Sequence, residues 1–106
     1  MSCIYCYSVY TVIFEWNERK NRANIAKHGI AFRLAASVFD DPFRLDDLNR
    51  VVDGEERRHV IGMAGNTLLV LFVVYTDRST HGQETIRIIS ARKANRKEGG
   101  RYSRLH

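Results

Sequence analysis

The sequence predicts an α+β fold: a mostly antiparallel sheet of four to five strands with two N-terminal helices packed on one face. Three observations lead there. Two amphipathic helical segments, near 17–29 and 31–39, come before the main run of strands. Three strand-like stretches (57–63, 67–76 and 84–94) then follow one another across short connections. The chain has 106 residues, 44% of them hydrophobic, with one proline and seven glycines, which suits a single domain around one core.

Taken in order, "IYCYSVYTVIF" reads as a strand over 4–16, rich in Tyr, Val, Ile and Phe. Its poor alternation suits a strand covered on both faces. "NERKNRANIAKHG" is a helix with Asn17 as N-cap and Gly29 just past its end. Lys27 and His28 fall in the last turn, where cations suit the helix dipole. Ala23, Ala26 and Ile30, with Ile25 beside them, form a thin apolar stripe expected to face the core. In "AFRLAASVFDDP", Phe32, Ala35, Ala36 and Phe39 keep helical spacing until Pro42 ends the helix. "PFRLDD" (42–47) is a weaker strand and "LNRVVDGEE" (48–56) a loop. "RRHVIGM" (57–63) is a strand, and Gly65-Asn66 supplies a hairpin turn. "TLLVLFVVYT" (67–76) is almost continuously apolar, as expected of a central strand buried on both faces. After a loop over 77–83, "ETIRIISARKA" (84–94) is the last strand.

Charge is unevenly placed. The net charge is +5, yet residues 87–106 hold seven basic groups against Glu98 alone, or +6; the other 86 residues sum to −1. Arg87, Arg92, Arg96 and Lys97 are therefore candidate contacts for an anionic partner, RNA among them. The competing reading is a basic tail, over 95–106, that only aids solubility.

Cys3 and Cys6 form a C-x-x-C pair, but no second pair completes a zinc site. On an extended strand their Cα atoms lie about 10 Å apart, beyond the roughly 7 Å a disulfide allows. Two reduced thiols are expected. The N-terminus lacks the basic region of a signal peptide, and nothing reaches the length of a transmembrane helix, so a cytoplasmic protein is expected.

Strict alternation along the last strand puts Ile86, Ile88, Ser90 and Arg92 on one face, and Arg87, Ile89, Ala91 and Lys93 on the other. A guanidinium on a rigid strand suits phosphate, because its planar fork matches phosphate oxygens and stays charged. The alternative is that Arg92 pairs with an acidic residue. No Ser-His-Asp or Cys-His arrangement is visible. His28 reads as a helix cap, His59 lies in a strand and His106 at the terminus, so the general base is unassigned. The pairs Asp40-Asp41 and Asp46-Asp47 sit where turns favour Asp, and neither metal nor other cofactor is expected. The second helix offers only Arg33 and Ser37 to read bases, which speaks against a DNA-binding helix-turn-helix.

The ordered set F-E-W, K-H-G-I-x-F, A-A-S-V-F and I-R-I-I-S-A-R-K, spread over roughly residues 14–98, resembles the BrnT family of ribonuclease toxins. The resemblance implies a single RelE-like toxin domain belonging to a type II toxin–antitoxin pair. Such a toxin cleaves RNA without a metal and so inhibits translation. It is neutralised by a BrnA-type ribbon-helix-helix antitoxin, through which the complex reaches operator DNA. By the same resemblance, Arg92 and Lys93 in "SARK", with Ser90 beside them, and Arg78 in "YTDR" are the catalytic candidates. Lys20 and Arg57 match further basic positions for RNA binding. Residues 1–13 precede the usual family start and read as an extension. Gly99 and Gly100 interrupt the family's terminal helix, each at about 1 kcal/mol. Two other readings compete: a non-catalytic RNA-binding or co-repressor subunit, and a C-x-x-C redox protein.

Overall fold

The computed structural model describes residues 4–9, as backbone, and 12–104. Where one strand is expected over 4–16 there are two, β1 (Ile4–Val9) and β2 (Val12–Asn17), paired antiparallel from Ile4–Asn17 to Val9–Val12. The stretch expected as an extension is thus hydrogen-bonded into the sheet over Ile4–Val9. Helix α1 (Glu18–His28) follows, then α2 (Phe32–Ala36), which runs into a 3-10 turn over Ser37–Asp40. Strands β3 (Leu45–Val52), β4 (Glu55–Met63), β5 (Val70–Asp77) and β6 (Glu84–Lys93) come next, and α3 (Arg96–Arg104) closes the order. Among the described residues the sheet has six strands in the order β1-β2-β6-β5-β4-β3. It is mixed: β2 and β6 run parallel and every other neighbouring pair is antiparallel. The α+β architecture holds, but the two helices follow two strands instead of opening the chain, the sheet has more strands than expected, and one pair is parallel. Alternation marks strands; it does not say which strand lies beside which.

The two early helices cover one face of the sheet. Phe14, Trp16, Ile30, Phe32, Leu71, Val73, Ile86 and Ile88 form the core between them, and Trp16 meets Phe32 edge-on at 6.2 Å. The ends of α1 are as expected. The Asn17 side chain accepts from the Lys20 N–H, and Gly29, at φ 73°, donates to the Ile25 carbonyl at 2.8 Å. The apolar stripe is so only at Ile30, which is buried. Ala23, Ile25 and Ala26 are exposed, and the buried residue of α1 is Asn24. The reason lies in β6, which pairs with β2 only over Glu84–Arg87 and then continues with that edge unpaired. Asn24 takes the place of the missing strand. Its Nδ2 donates to the carbonyls of Ala91 (2.7 Å) and Ile30 (2.8 Å), and its Oδ1 accepts from the Ala91 N–H at 3.2 Å. A buried amide satisfied on both ends outcompetes an apolar contact here, because the backbone groups of Ala91 have no other partner on that side.

The loop expected over 48–56 is instead most of a hairpin. Asp53 (φ 52°) and Gly54 (φ 79°) both take positive φ, the requirement of the two-residue turn that joins right-twisted strands. Strand β3 is an exposed edge whose side chains carry no clear alternation. Strand β5 begins at Val70, because Thr67 turns back on Ala64 through its N–H at 3.0 Å and its hydroxyl at 2.5 Å. Leu71, Val73 and Tyr75 are buried in the core, whereas Phe72 and Val74 on the other face are only partly covered.

That other face is covered in part by α3, where a basic tail was expected. Asn95 and Glu98 form a capping box: the Asn95 side chain accepts from the Glu98 N–H (2.9 Å), and Glu98 accepts from the Asn95 N–H (2.9 Å). A cap of this kind contributes about 1 kcal/mol and partly offsets the two glycines. Tyr102 completes the docking. It is buried, and its hydroxyl donates to Asp41 at 2.5 Å. Asp41 also accepts from the Met63 N–H at 2.8 Å, so one carboxylate ties the 3-10 turn, β4 and α3 together. Cys3 and His106 lie outside the described residues, and Cys6 is described only as backbone, so the C-x-x-C pair is not described.

Candidate active site

Strict alternation fails once in β6. Val74 pairs with Ser90 and Tyr75 with Ile88, so Ile89 is an extra residue, a β-bulge. Before the bulge Ile86 and Ile88 face the core; after it Ala91 does. Ser90 and Arg92 therefore project with Arg87 onto the face away from α1 and α2, not with the two isoleucines. Arg92 lies opposite Phe72, and Ser90 opposite Val74.

On this open face the side chains of four strands and α3 converge. The Arg92 guanidinium sits over the Phe72 ring, 4.3 Å from its centroid. Its two terminal nitrogens make a bidentate pair with Glu98 at 2.8 and 2.9 Å. The other reading of Arg92, that it pairs with an acidic residue, is thus realised at the same place. Phe72 also stacks on His59, with ring centroids 4.7 Å apart and planes 26° from parallel. The His59 Nδ1 lies 3.2 Å from the Asn49 side-chain oxygen. Arg101 reaches across from α3 to Asp47 at 3.7 Å. Between α3 and the sheet a cavity of about 310 Å³ opens over His59, Phe72, Asn49, Lys97, Glu98 and Arg101.

The electrostatics assign states to these groups. Burial under α3 lowers the His59 pKa below 6.5, assisted by Arg101, while Asp47 and Glu98 pull the other way. The imidazole is neutral at physiological pH and can accept a proton. The hydrogen bond from Arg92 to Glu98 raises the Arg92 pKa above its already high ordinary value, and the same bond lowers that of Glu98. Among the described residues no three His, Cys, Asp or Glu side chains gather where they could hold a metal ion.

The sequence candidates divide. Arg92 and Ser90 share the open face. Lys93 lies opposite Leu71 and points to the helical side, away from Arg92. Arg78 follows the far end of β5, about 20 Å along the strand from Phe72, and pairs with Glu55 at 3.0 Å. It does not join Arg92. Lys20 is exposed on α1, across the sheet from the cavity. Arg57 and Arg87 lie on the open face but toward the Arg78 end. Of the two cations early in α3, Lys97 lines the cavity and Arg96 does not. The acidic pairs serve the fold: Asp46 accepts from the Tyr75 hydroxyl, and Asp41 acts as described above. His59, Phe72, Glu98 and Arg101 escape the sequence reading. Nothing in "RRHVIGM" separates a site histidine from a strand histidine until β4 is paired with β5.

A family model described as the ribonuclease toxin, BrnT, of type II toxin–antitoxin systems matches residues 16–98. The chain belongs to this family. The BrnT match runs from the chain's one tryptophan, Trp16, to Glu98, and so contains His59, Phe72, Arg92 and the carboxylate that holds Arg92. Strand β1 and most of α3 lie outside it. No curated protein matches the chain. No helix among the described residues is long and apolar enough to cross a membrane.

Proposed function

We propose that this BrnT-family toxin is a RelE-like, cytoplasmic endoribonuclease that cuts RNA without a metal on the open face of its sheet. The observation that carries the proposal is the Arg92–Phe72–His59 stack beside a cavity, with the imidazole held neutral by burial. RNA supplies its own nucleophile, the 2′-hydroxyl. His59 takes the proton from that hydroxyl as the oxygen attacks the adjacent phosphorus. A new P–O2′ bond forms and the P–O5′ bond breaks. The products are a 2′,3′-cyclic phosphate and a 5′-hydroxyl, with Lys97 as candidate proton donor to the leaving oxygen. Arg92 faces the charge that accumulates on the phosphoryl oxygens. Its fork already holds two carboxylate oxygens from Glu98, so the incoming phosphate exchanges with Glu98, charge for charge. Lys93, on the helical side, and Arg78, beyond the far end of β5, are given no part in this chemistry; Ser90 stands beside Arg92 on the open face.

Translation is inhibited by loss of RNA, and a BrnA-like ribbon-helix-helix antitoxin neutralises the toxin and links it to operator DNA. Cleavage of RNA by purified chain tests the central claim. Arg92→Ala and His59→Gln, each checked for folding, should cut the rate by roughly 10²-fold or more. Wild-type cleavage by Arg92→Ala would overturn it.

One observation favours a second reading. With Glu98 filling its fork, Arg92 presents no free guanidinium, as a non-catalytic RNA-binding or co-repressor subunit would permit. Growth arrest on expression, relieved by co-expression of the adjacent small protein, supports the ribonuclease; an inert chain that still forms the complex supports the subunit.

A further inference from the structure

We infer that the open face carries a second phosphate position, built from Arg57, Thr76 and Arg87, so that a single RNA strand is held at two points. Thr76 pairs with Arg87 across β5 and β6. One step beyond the Arg58–Tyr75 pair, Arg57 of β4 flanks Thr76 on its other side. The three side chains thus form one row on the face that bears Arg92 and His59. Among the described residues, the Arg57 Nε and the Thr76 Oγ1 are the buried side-chain polar atoms without a hydrogen-bond partner. Thr76 is only 1% exposed. Two adjacent buried orphans are costly to keep, and native structures hold few.

A phosphate satisfies both at once. Its oxygens accept from the Arg57 Nε and the Thr76 hydroxyl while Arg87 balances the charge. Glu55, 4.0 Å from the Arg57 Nε, is beyond hydrogen-bond reach, and Glu15 pairs with Arg87 at 3.6 Å, so a phosphate shares Arg87 with Glu15. Glu55 also holds Arg78, which brings a third cation to this end of the sheet. Thr76 lies four residues along β5 from Phe72, about 13 Å away, a reach of a few nucleotides. Between the two positions the exposed sheet face suits an unpaired strand.

The inference rests on RNA as the ligand, and its test does not need cleavage. Binding of 2′-O-methyl oligonucleotides two and eight nucleotides long is measured by anisotropy over a range of salt. For wild type the eight-mer should bind more tightly and with a steeper salt slope. Arg57→Gln and Arg87→Gln should each flatten the eight-mer slope by about 0.7 and shrink its advantage over the two-mer. Thr76→Val should weaken the eight-mer several-fold, leave the slope alone, and raise the melting temperature by removing an unpartnered hydroxyl. Wild-type slopes in both arginine variants, or a Thr76→Val variant with wild-type affinity, would sink the second position. A chain that binds in this way yet leaves RNA intact would sink only the ribonuclease reading.

Discussion

Removing the Asn24 amide tests the seat of Arg92 directly. Asn24→Ala leaves three backbone groups without partners: the N–H and the carbonyl of Ala91, and the carbonyl of Ile30. Each buried orphan costs about 1–3 kcal/mol. Water entering the space left by the amide recovers part of this, so a net loss of about 3–4 kcal/mol is expected against a total of roughly 5–15 for a domain of this kind. The melting temperature should fall by roughly 12–25 °C. Asn24→Asp should be no better: it can still accept from Ala91 but cannot donate to either carbonyl, and it buries a charge. Urea unfolding, with the slope checked for constancy, gives the energy, and hydrogen exchange at the Ala91 amide gives the locality. A loss under about 1 kcal/mol, or an Ala91 amide as protected in Asn24→Ala as in wild type, would refute the view that this side chain replaces a strand.

Three further outcomes are expected. Glu98→Gln should free the Arg92 fork and weaken the α3 cap, so affinity for a non-cleavable RNA rises while stability falls by about 1 kcal/mol; equal affinity would show that Glu98 does not compete with phosphate. His59 gives a pH dependence. Its folded pKa lies below the unfolded 6.5, so the unfolded chain binds more protons as pH drops, and stability is lost below 6.5 toward the folded value. His59→Gln should flatten that part of the stability curve and remove the acidic limb of the cleavage profile. Gly62→Ala would place a Cβ 2.7 Å from Val38 and 3.2 Å from Arg44, and should cost about 1–3 kcal/mol in the same unfolding assay.

What the sequence reveals depends on how local the cause is. The caps of α1, the spacing of Phe32, Ala35 and Ala36, and the last strand answer to neighbours in the chain, and all appear where expected. Asn24 does not, because its partner Ala91 is 67 residues away. The β3–β4 hairpin carried its signal in Asp53-Gly54, but an exposed edge strand lacks the alternation that would draw attention to it. The parallel β2–β6 pair is a long-range choice with no local mark. Arg92 stands out from charge and from family resemblance. His59 becomes a site residue only through the register of β4 on β5 and the arrival of α3, whose capping box and buried Tyr102 work against the cost of Gly99 and Gly100.

The bulge at Ile89 divides β6 as a shifted frame divides a message. Up to Ile88 the even-numbered residues belong to the core; beyond it Ala91 does, and Arg92 is released to the opposite side. The two halves can therefore vary under separate demands, one for packing and one for charge. Were all ten residues of β6 to alternate without the bulge, the guanidinium would turn inward, under the helices, where no anion could reach it.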